Sequence, residues 1–179
     1  MKNYYLSSLL HLSDPTLPIG GFSHSYGLET YVQLGLISNA TTAERFIKSM
    51  LTRNLLYNDA AFVKLSYEAT DLYLLADIIE LDKECTALKS SKEIRQASQK
   101  LGVRLLKIFT TEINISIFRD YEKAIEKTDA SGHYCIVFGL CANLLNIPLE
   151  EALMAFYYNA TVGMVTNSVK LIPLGQLDG

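Results

Sequence analysis

Apolar residues recur every three or four positions along most of the chain, which is the spacing of one face of an α-helix. The clearest run of this spacing consists of Ile94, Ala97, Leu101, Leu105 and Ile108. No Asn-Gly or Asp-Gly turn joins two strand-like runs. A length of 179 residues suits one domain with its own core. We therefore predict a single all-α domain over residues 1–179, a bundle of about seven to nine helices.

Local signals predict where helices begin and which faces they bury. Residues 41–44 and 90–93 match the capping box, in which Ser or Thr at the N-cap pairs with Glu three residues later. Two further buried faces are predicted from the spacing of Phe62, Leu65, Ala69 and Leu72, and from that of Leu75, Ala76 and Ile79. Gly102, Gly139 and Gly163 interrupt helix-forming sequence, which predicts close contact between helices at these points.

Charge is distributed unevenly along the chain. Lys170 is the only basic residue after Lys127 and is accompanied by four acidic residues, so the net charge of −3 lies in residues 128–179. Two uncharged stretches, 130–149 and 152–169, are long enough to span a bilayer, but their polar side chains would be costly in hydrocarbon. The N-terminus lacks the long apolar run of a signal peptide. We predict buried helices or an interface here, and no membrane segment.

Residue types that carry catalysis or metal binding are few and scattered. The sequence has no phosphate-binding glycine loop, no zinc-type Cys and His pairing and no nucleophile motif. Its histidines are His11, His24 and His133, and its three cysteines include no CxxC pair, which predicts buried, reduced thiols. The net charge of −3 does not indicate a nucleic-acid partner. We expect a binding protein with no catalytic residue, metal site or cofactor.

The segment 13–29 has the most unusual composition. Two prolines favour extended backbone before them, Gly20 and Gly21 permit positive φ, and Ser23 or Ser25 can cap the helix that follows. The segment is either a packed structural turn or a loop that docks a partner or ligand. Under the second interpretation, the candidate binding residues are Pro18, Gly20, Gly21, Phe22, His24, Tyr26 and Glu29.

Three motifs in a fixed order point to a family. Residues 14–29 read Asp-Pro-Thr-Leu-Pro-Ile-Gly-Gly-Phe-Ser-His-Ser-Tyr-Gly-Leu-Glu. Residues 93–102 read Glu-Ile-Arg-Gln-Ala-Ser-Gln-Lys-Leu-Gly, and residues 170–176 read Lys-Leu-Ile-Pro-Leu-Gly-Gln. Together they resemble the signature segments of the UreF family of urease accessory proteins, and the resemblance covers essentially the whole chain.

The resemblance implies a cytoplasmic helical homodimer that is not an enzyme. It would join a UreD/UreH-type accessory protein to the GTPase UreG, and the complex would engage apo-urease during nickel insertion. The motifs add further candidate partner-binding residues, which are Arg95, Lys170, Pro173, Leu174 and Gln176. An alternative role is that of a GTPase-activating protein for UreG, in which Arg95 would stabilise the transition state of GTP hydrolysis.

Pro173 is expected to end the last helix at or before Ile172. The residues after it would then form an extended strip suited to docking another chain, or simply a frayed helix end. The family is expected to continue for some tens of residues beyond this motif. The chain is therefore predicted to lack the C-terminal tail of the family, which would help to bind the partner proteins.

Overall fold

The computed structural model of the protein describes residues 5–21 and 27–173. These residues form α-helices and no strand, so the predicted all-α fold is confirmed. The helices are α1 (Tyr5–Leu12), α2 (Leu28–Gln33), α3 (Ala40–Ser49), α4 (Asp59–Asp71), α5 (Leu75–Leu88), α6 (Lys92–Phe109), α7 (Ser116–Glu126), α8 (Tyr134–Leu144) and α9 (Leu149–Leu171). A π-helical segment, Met50–Leu55, continues α3.

Helix α8 lies at the centre of the bundle. Every residue from Cys135 to Ala142 is buried, and α8 packs chiefly against α4 and α6. A helix surrounded on all sides has no face on which a charge could remain hydrated. The uncharged stretch 130–149 is therefore explained by burial, as predicted.

Helix α9 differs from this expectation. Only one face of this helix is buried. Ala152, Phe156 and Met164 face the core, whereas Met154 is 72% exposed and Tyr158 is 58% exposed. The prediction that 152–169 is a buried helix is therefore wrong for one face of α9. Among the described residues, none of the helices is both long and apolar enough to cross a membrane.

Two of the three helical glycines permit close packing. A Cβ on Gly102 would collide with the carbonyl oxygen of Gly132, and one on Gly139 would collide with the carbonyl oxygen of Val63. Gly163 faces open space, and a Cβ at this position would meet no atom of another residue within 4 Å. Close helix contact is confirmed for Gly102 and Gly139, and it is wrong for Gly163.

The predicted capping boxes lie near the true helix starts but not on them. Asn39 caps α3: its side chain accepts the backbone N–H of Thr42 at 3.0 Å, and Thr42 Oγ1 accepts that of Asn39 at 3.1 Å. Asn is a stronger N-cap than Thr, so α3 begins before the predicted box at 41–44. Ser91 rather than Ser90 caps α6, accepting the N–H of Ile94 at 3.4 Å.

The buried face of α4 is rotated from the predicted one. Phe62 and Ala69 are buried, but Leu65 is 45% and Leu72 67% exposed. Small polar residues replace them at the contact with α8, where Ser66 donates to the carbonyl of Ile136 at 2.7 Å. The absence of a side chain at Gly139 brings the two backbones together, which leaves space for a serine and not for a leucine.

Candidate functional site

A cavity of about 410 Å³ opens between the N-terminal loop, the π-helical segment and helices α4, α5, α6 and α9. Pro15, Ile19 and Gly21 of the first motif form part of its wall, and so do Ile94 and Leu101 of the second motif. Segments far apart in the sequence therefore meet at one concavity. A part-apolar cavity with a few polar groups is the usual form of a binding site.

The N-terminal loop is fixed to α6 by one arginine. Arg104 Nη1 donates to the carbonyl oxygen of Ile19 at 2.9 Å. Gly20 has φ of 86°, and a Cβ at this position would collide with the Arg104 guanidinium. The left-handed φ favours glycine here, because it strains residues that carry a Cβ. The Arg104 guanidinium could move away from an added Cβ, but its hydrogen bond to Ile19 would be disturbed. Leu17 and Ile19 are buried, whereas Pro18 is exposed.

Of the remaining candidate residues of the first motif, the structure describes Gly21 and Glu29. Gly21 is half-buried at the cavity wall, and Glu29 is exposed on the short helix α2. Phe22, His24 and Tyr26 lie outside the described residues, as do Ser23 and Ser25, the predicted caps of α2. The N-cap of α2 is Gly27, which has no side chain to accept a hydrogen bond.

Arg95 of the second motif binds backbone carbonyls at the end of α5. Its Nη1 donates to the carbonyl oxygen of Lys89 at 2.7 Å and to that of Ser90 at 3.4 Å. A cationic side chain at a helix C-terminus satisfies carbonyls that have no partner within the helix. Arg95 therefore holds α5 and α6 together at the rim of the cavity.

The third motif meets α2, which begins at Leu28 near the end of the first motif, and this contact lies away from the cavity wall. Helix α9 ends at Leu171 and Ile172 is extended, as predicted from Pro173. Ile172 is buried in a small cluster with Leu28, Ile37 and Ala43. Lys170 and Pro173 are exposed. Leu174 and Gln176 lie outside the described residues.

Lys89 and Asp59 form a buried ion pair in the wall of the cavity. Lys89 Nζ lies 2.8 Å from Asp59 Oδ1, and their side chains are only 11% and 22% exposed. Burial opposes the lysine charge, but the Asp59 carboxylate more than compensates, so the pKa of Lys89 lies above its ordinary value. Asp59 is in the first turn of α4, where the helix dipole favours a negative charge.

Asp82 is a fully buried carboxylate that holds the chain entering α8. Its Oδ1 accepts from Tyr121 Oη at 3.1 Å and from the N–H of His133 at 2.9 Å. Its Oδ2 accepts from the N–H groups of Ser131 and Gly132. Burial, then the Asp82 charge, raises the pKa of Tyr121 well above its usual value. Four donors thus stabilise the Asp82 carboxylate inside the bundle.

His133 serves as a buried bridge between helices. Its ring Nε2 lies 2.9 Å from Thr86 Oγ1 on α5, and its Nδ1 lies 3.1 Å from Ser98 Oγ on α6. His11, on α1, is exposed, and its ring contacts that of Phe109 in a tilted arrangement with the ring centroids 5.0 Å apart. Within residues 5–21 and 27–173, no group of three or more His, Cys, Asp or Glu side chains is arranged to hold a metal ion. The absence of a nickel site on the isolated chain remains a prediction.

All three cysteines are free and buried, as predicted. Cys85 Sγ on α5 and Cys135 Sγ on α8 are 3.6 Å apart. The hydrogen bond from Cys135 lowers the pKa of Cys85 to about 6, with His133 and Lys89 adding to the effect. Burial, and then donation of this bond, raises the pKa of Cys135. Burial likewise raises the pKa of Cys141, which has no such thiol partner.

The sequence profile of the UreF family matches residues 37–179 of this chain. The chain belongs to the UreF family. Three relatives, each named urease accessory protein UreF, share much of its sequence. That of Actinobacillus pleuropneumoniae serotype 3 (strain JL03) is 46% identical over 97% of this chain and 77% of its own length. That of Haemophilus influenzae (strain PittGG) is 45% identical over 97% and 74%. That of Lachnoclostridium phytofermentans (strain ATCC 700394 / DSM 18823 / ISDg) is 37% identical over 100% and 78%.

Sequence reasoning missed the polar face that this UreF chain buries on α5. Of the predicted face, Leu75 and Ile79 are partly buried and pack against the core, whereas Ala76 is exposed. The fully buried residues of α5 are Ile78, Asp82 and Cys85. Their spacing of four and three residues is itself a helical face, with a carboxylate at an apolar position. The carboxylate of Asp82 at an otherwise apolar position was the sequence signal that could have revealed this buried face. Lys89 continues the same face, and nothing local distinguishes it from an exposed lysine.

Proposed function

We propose that this chain is a non-enzymatic scaffold for nickel insertion into urease in the cytoplasm. It joins a UreD/UreH-type accessory protein to the GTPase UreG, and the complex engages apo-urease. The observation that carries the proposal is membership of the UreF family over most of the chain, with relatives named urease accessory proteins. The exposed apolar residues Met154 and Tyr158, on the uncharged stretch 152–169 of α9, support a protein that works through interfaces.

Co-purification tests the scaffold directly. The tagged chain is expected to retain the UreD/UreH-type protein and UreG together, and urease matured with the complex should contain more nickel than urease matured without this chain. Recovery of neither partner at micromolar concentration, with unchanged urease nickel content, would contradict the proposal.

The end of α9 is the proposed docking segment for a partner. Ile172 anchors it in a buried cluster, while Lys170 and Pro173 face outward. An extended strip of this kind can bind another chain through backbone hydrogen bonds. Leu174 and Gln176 of the motif lie outside the described residues and remain candidate partner-binding residues.

Changing Lys170→Glu and Pro173→Ala together should weaken recovery of at least one partner and leave the melting temperature nearly unchanged, because both positions are exposed. The matched control is Lys127→Glu, an exposed lysine at the end of α7, which should leave recovery unaltered. Equal recovery by the double variant and the control would show that the segment only terminates a helix.

The alternative role, a GTPase-activating protein, is less well supported. The guanidinium of Arg95 is occupied by the carbonyls of Lys89 and Ser90. A catalytic arginine finger raises GTP hydrolysis by about 10³–10⁵-fold. We expect this chain to leave UreG turnover flat or lower it. Acceleration of that size, lost in Arg95→Ala, would establish the alternative.

A further inference from the structure

Two thiols from different helices lie in contact beside the cavity. Cys85 Sγ and Cys135 Sγ are 3.6 Å apart, although the two residues are separated by 50 positions in the sequence. Cys85 belongs to the cavity wall, whereas Cys135 lies behind it on the central helix α8. Both side chains are buried, so a small reagent in the cavity reaches Cys85 through local side-chain motion and meets it before Cys135.

The surroundings of Cys85 favour its thiolate. Cys135 can donate its S–H to Cys85 Sγ. Lys89 and His133 both stabilise negative charge on Cys85. Two acidic groups in this region have partners of their own: Asp59 pairs with Lys89, and Asp82 accepts from Tyr121 and the backbone before α8. Thiolates react with peroxides, and the reactive thiols are those that lie beside cations and that a reagent can reach. For Cys85 the cavity, together with local side-chain motion, provides that access.

We propose that Cys85 and Cys135 are a peroxide-oxidisable pair in which Cys85 is attacked first and Cys135 resolves it to an intramolecular disulfide. The oxidant is hydrogen peroxide, which enters through the cavity. This modification is independent of the proposed role in urease maturation.

The chemistry proceeds in two balanced steps. The Cys85 thiolate attacks one peroxide oxygen, an S–O bond forms, the O–O bond breaks, and the departing hydroxide takes up a proton and leaves as water. Cys135 sulfur then attacks Cys85 sulfur. The S–O bond breaks, and the departing hydroxide takes the Cys135 proton to form a second water. Two thiols are oxidised by two electrons and one peroxide is reduced to two waters.

Closing the pair brings the sulfurs from 3.6 Å to about 2 Å. That movement draws the last turn of α5 toward α8. Lys89, whose carbonyl accepts from Arg95, follows this turn directly. The oxidised protein should therefore differ at the cavity rim from the reduced one.

Cys141 provides an internal control. It is fully buried on the same helix as Cys135, but it has neither a thiol partner nor a place in the cavity wall. If burial in α8 alone governed oxidation, Cys141 and Cys135 would behave alike. The proposal requires them to differ.

The test treats the intact full-length chain with graded hydrogen peroxide, quenches it, and blocks free thiols before digestion without reductant. Trypsin leaves Cys135 and Cys141 in one peptide, because no Lys or Arg lies between Lys127 and Lys170. Chymotrypsin cuts after Tyr134 and Phe138 and so separates them. We expect a peptide pair linking Cys85 to Cys135, two hydrogen atoms lighter than the sum of the reduced peptides, and a fall in free thiols from three to one.

Three variants assign the order of events. Cys141→Ala should form the disulfide as the unchanged chain does. Cys135→Ser should accumulate a sulfenic acid at Cys85 that dimedone captures, and Cys85→Ser should leave Cys135 unreacted. Dimedone labelling of Cys85 in Cys135→Ser should exceed that of Cys141 by about tenfold or more.

Three results would overturn the proposal. They are a disulfide that contains Cys141, labelling of Cys135 as fast as that of Cys85, and retention of all three thiols at a peroxide concentration that oxidises the urea-unfolded chain. Circular dichroism of each variant before treatment confirms that the folded protein is being compared.

Discussion

Polar residues buried around α8, on α4, α5, α6 and the segment before α8, each have a hydrogen-bond partner. Ser66, Asp82, Ser98 and His133 are buried, yet every buried side-chain nitrogen or oxygen in the described part of the chain makes a hydrogen bond. A buried polar group with a partner contributes modestly, but the same group without one costs several kcal/mol. Single substitutions in this network should therefore be severe even though none of them changes an apolar contact.

Asp82→Asn is expected to destabilise the fold by about 3–5 kcal/mol, because the amide group turns a donor toward backbone N–H groups that need an acceptor. The measurement is the urea unfolding midpoint. Asp120→Asn is the control: Asp120 pairs with Lys123 at a surface where such pairs contribute less than about 1 kcal/mol. Equal losses in the two variants would show that Asp82 does not hold the start of α8.

Alkaline pH should weaken the fold through Cys135 and Cys141, the two buried thiols whose pKa values are raised. Burial raises the pKa of Cys141 far above that of a thiol in the unfolded chain, about 8.5. Above that pH the unfolded chain releases a proton that the native chain retains, so the free energy of unfolding falls by about 1.4 kcal/mol per pH unit for this group. Below about pH 8.5 both states keep the proton and the contribution is constant.

Between about pH 9 and 10, Cys141→Ala should reduce the fall of the unfolding free energy with pH by about 1.4 kcal/mol per pH unit, the contribution of one proton. The comparison is the urea midpoint of the unchanged chain and of the variant over that range. Cys135 contributes in the same direction in both proteins, since its pKa is also raised. Identical slopes would mean that Cys141 is not kept protonated in the fold.

At the scale of helices, the packing around α8 depends on two positions without side chains. Gly102 lets α6 approach the backbone before α8, and Gly139 lets α8 approach α4. The atoms that an added Cβ would meet are carbonyl oxygens, which cannot move aside as a flexible side chain can. Helix pairs fixed by backbone contact leave little room for repacking.

Gly102→Ala and Gly139→Ala should each destabilise the fold by about 3 kcal/mol or more, because the added methyl group overpacks a backbone contact. Gly163→Ala is the matched control. Its Cβ meets open space, so the higher helix propensity of alanine should stabilise α9 by about 0.5–1 kcal/mol. Thermal melting of the three variants checks this, and a loss at Gly163 equal to the other two would refute it.

At the scale of the whole molecule, the described part of the chain presents an uncharged face of α9 to solvent. Between Glu151 and Lys170, α9 has no charged residue, yet Met154 and Tyr158 are exposed and most residues from Tyr157 to Asn167 are only half-buried. A surface of this kind suits the homodimer that the sequence predicts for residues 128–179.

The unchanged chain is expected to sediment at about twice its mass of 20.0 kDa. Met154→Glu with Tyr158→Glu should shift it toward the monomer, because two charges would be buried in an apolar interface. Leu72→Glu is the control, since Leu72 is 67% exposed on the turn after α4. A monomer of the unchanged chain at high micromolar concentration would contradict the predicted dimer.

Local sequence determined the helices of this protein. The 3–4 spacing identified α6, the uncharged stretch 130–149 indicated the buried helix α8, and Pro173 predicted the end of α9. Hydrogen bonds within a helix and the restrictions imposed by proline act over a few residues, so local sequence is sufficient for such predictions. The motifs likewise identified the family. Helix starts shifted by one or two residues where Asn39 and Ser91 competed with the predicted caps.

Only the tertiary structure decided which face of each helix is buried and which distant residues meet. The faces of α4 and α5 are turned toward α8 by backbone contacts at Gly139 and by the donors around Asp82, and these lie far along the chain. The cavity and the contact of Cys85 with Cys135 arise in the same way, across 50 residues in the case of the thiols. Local patterns carry no information about such contacts, because they depend on how whole helices dock.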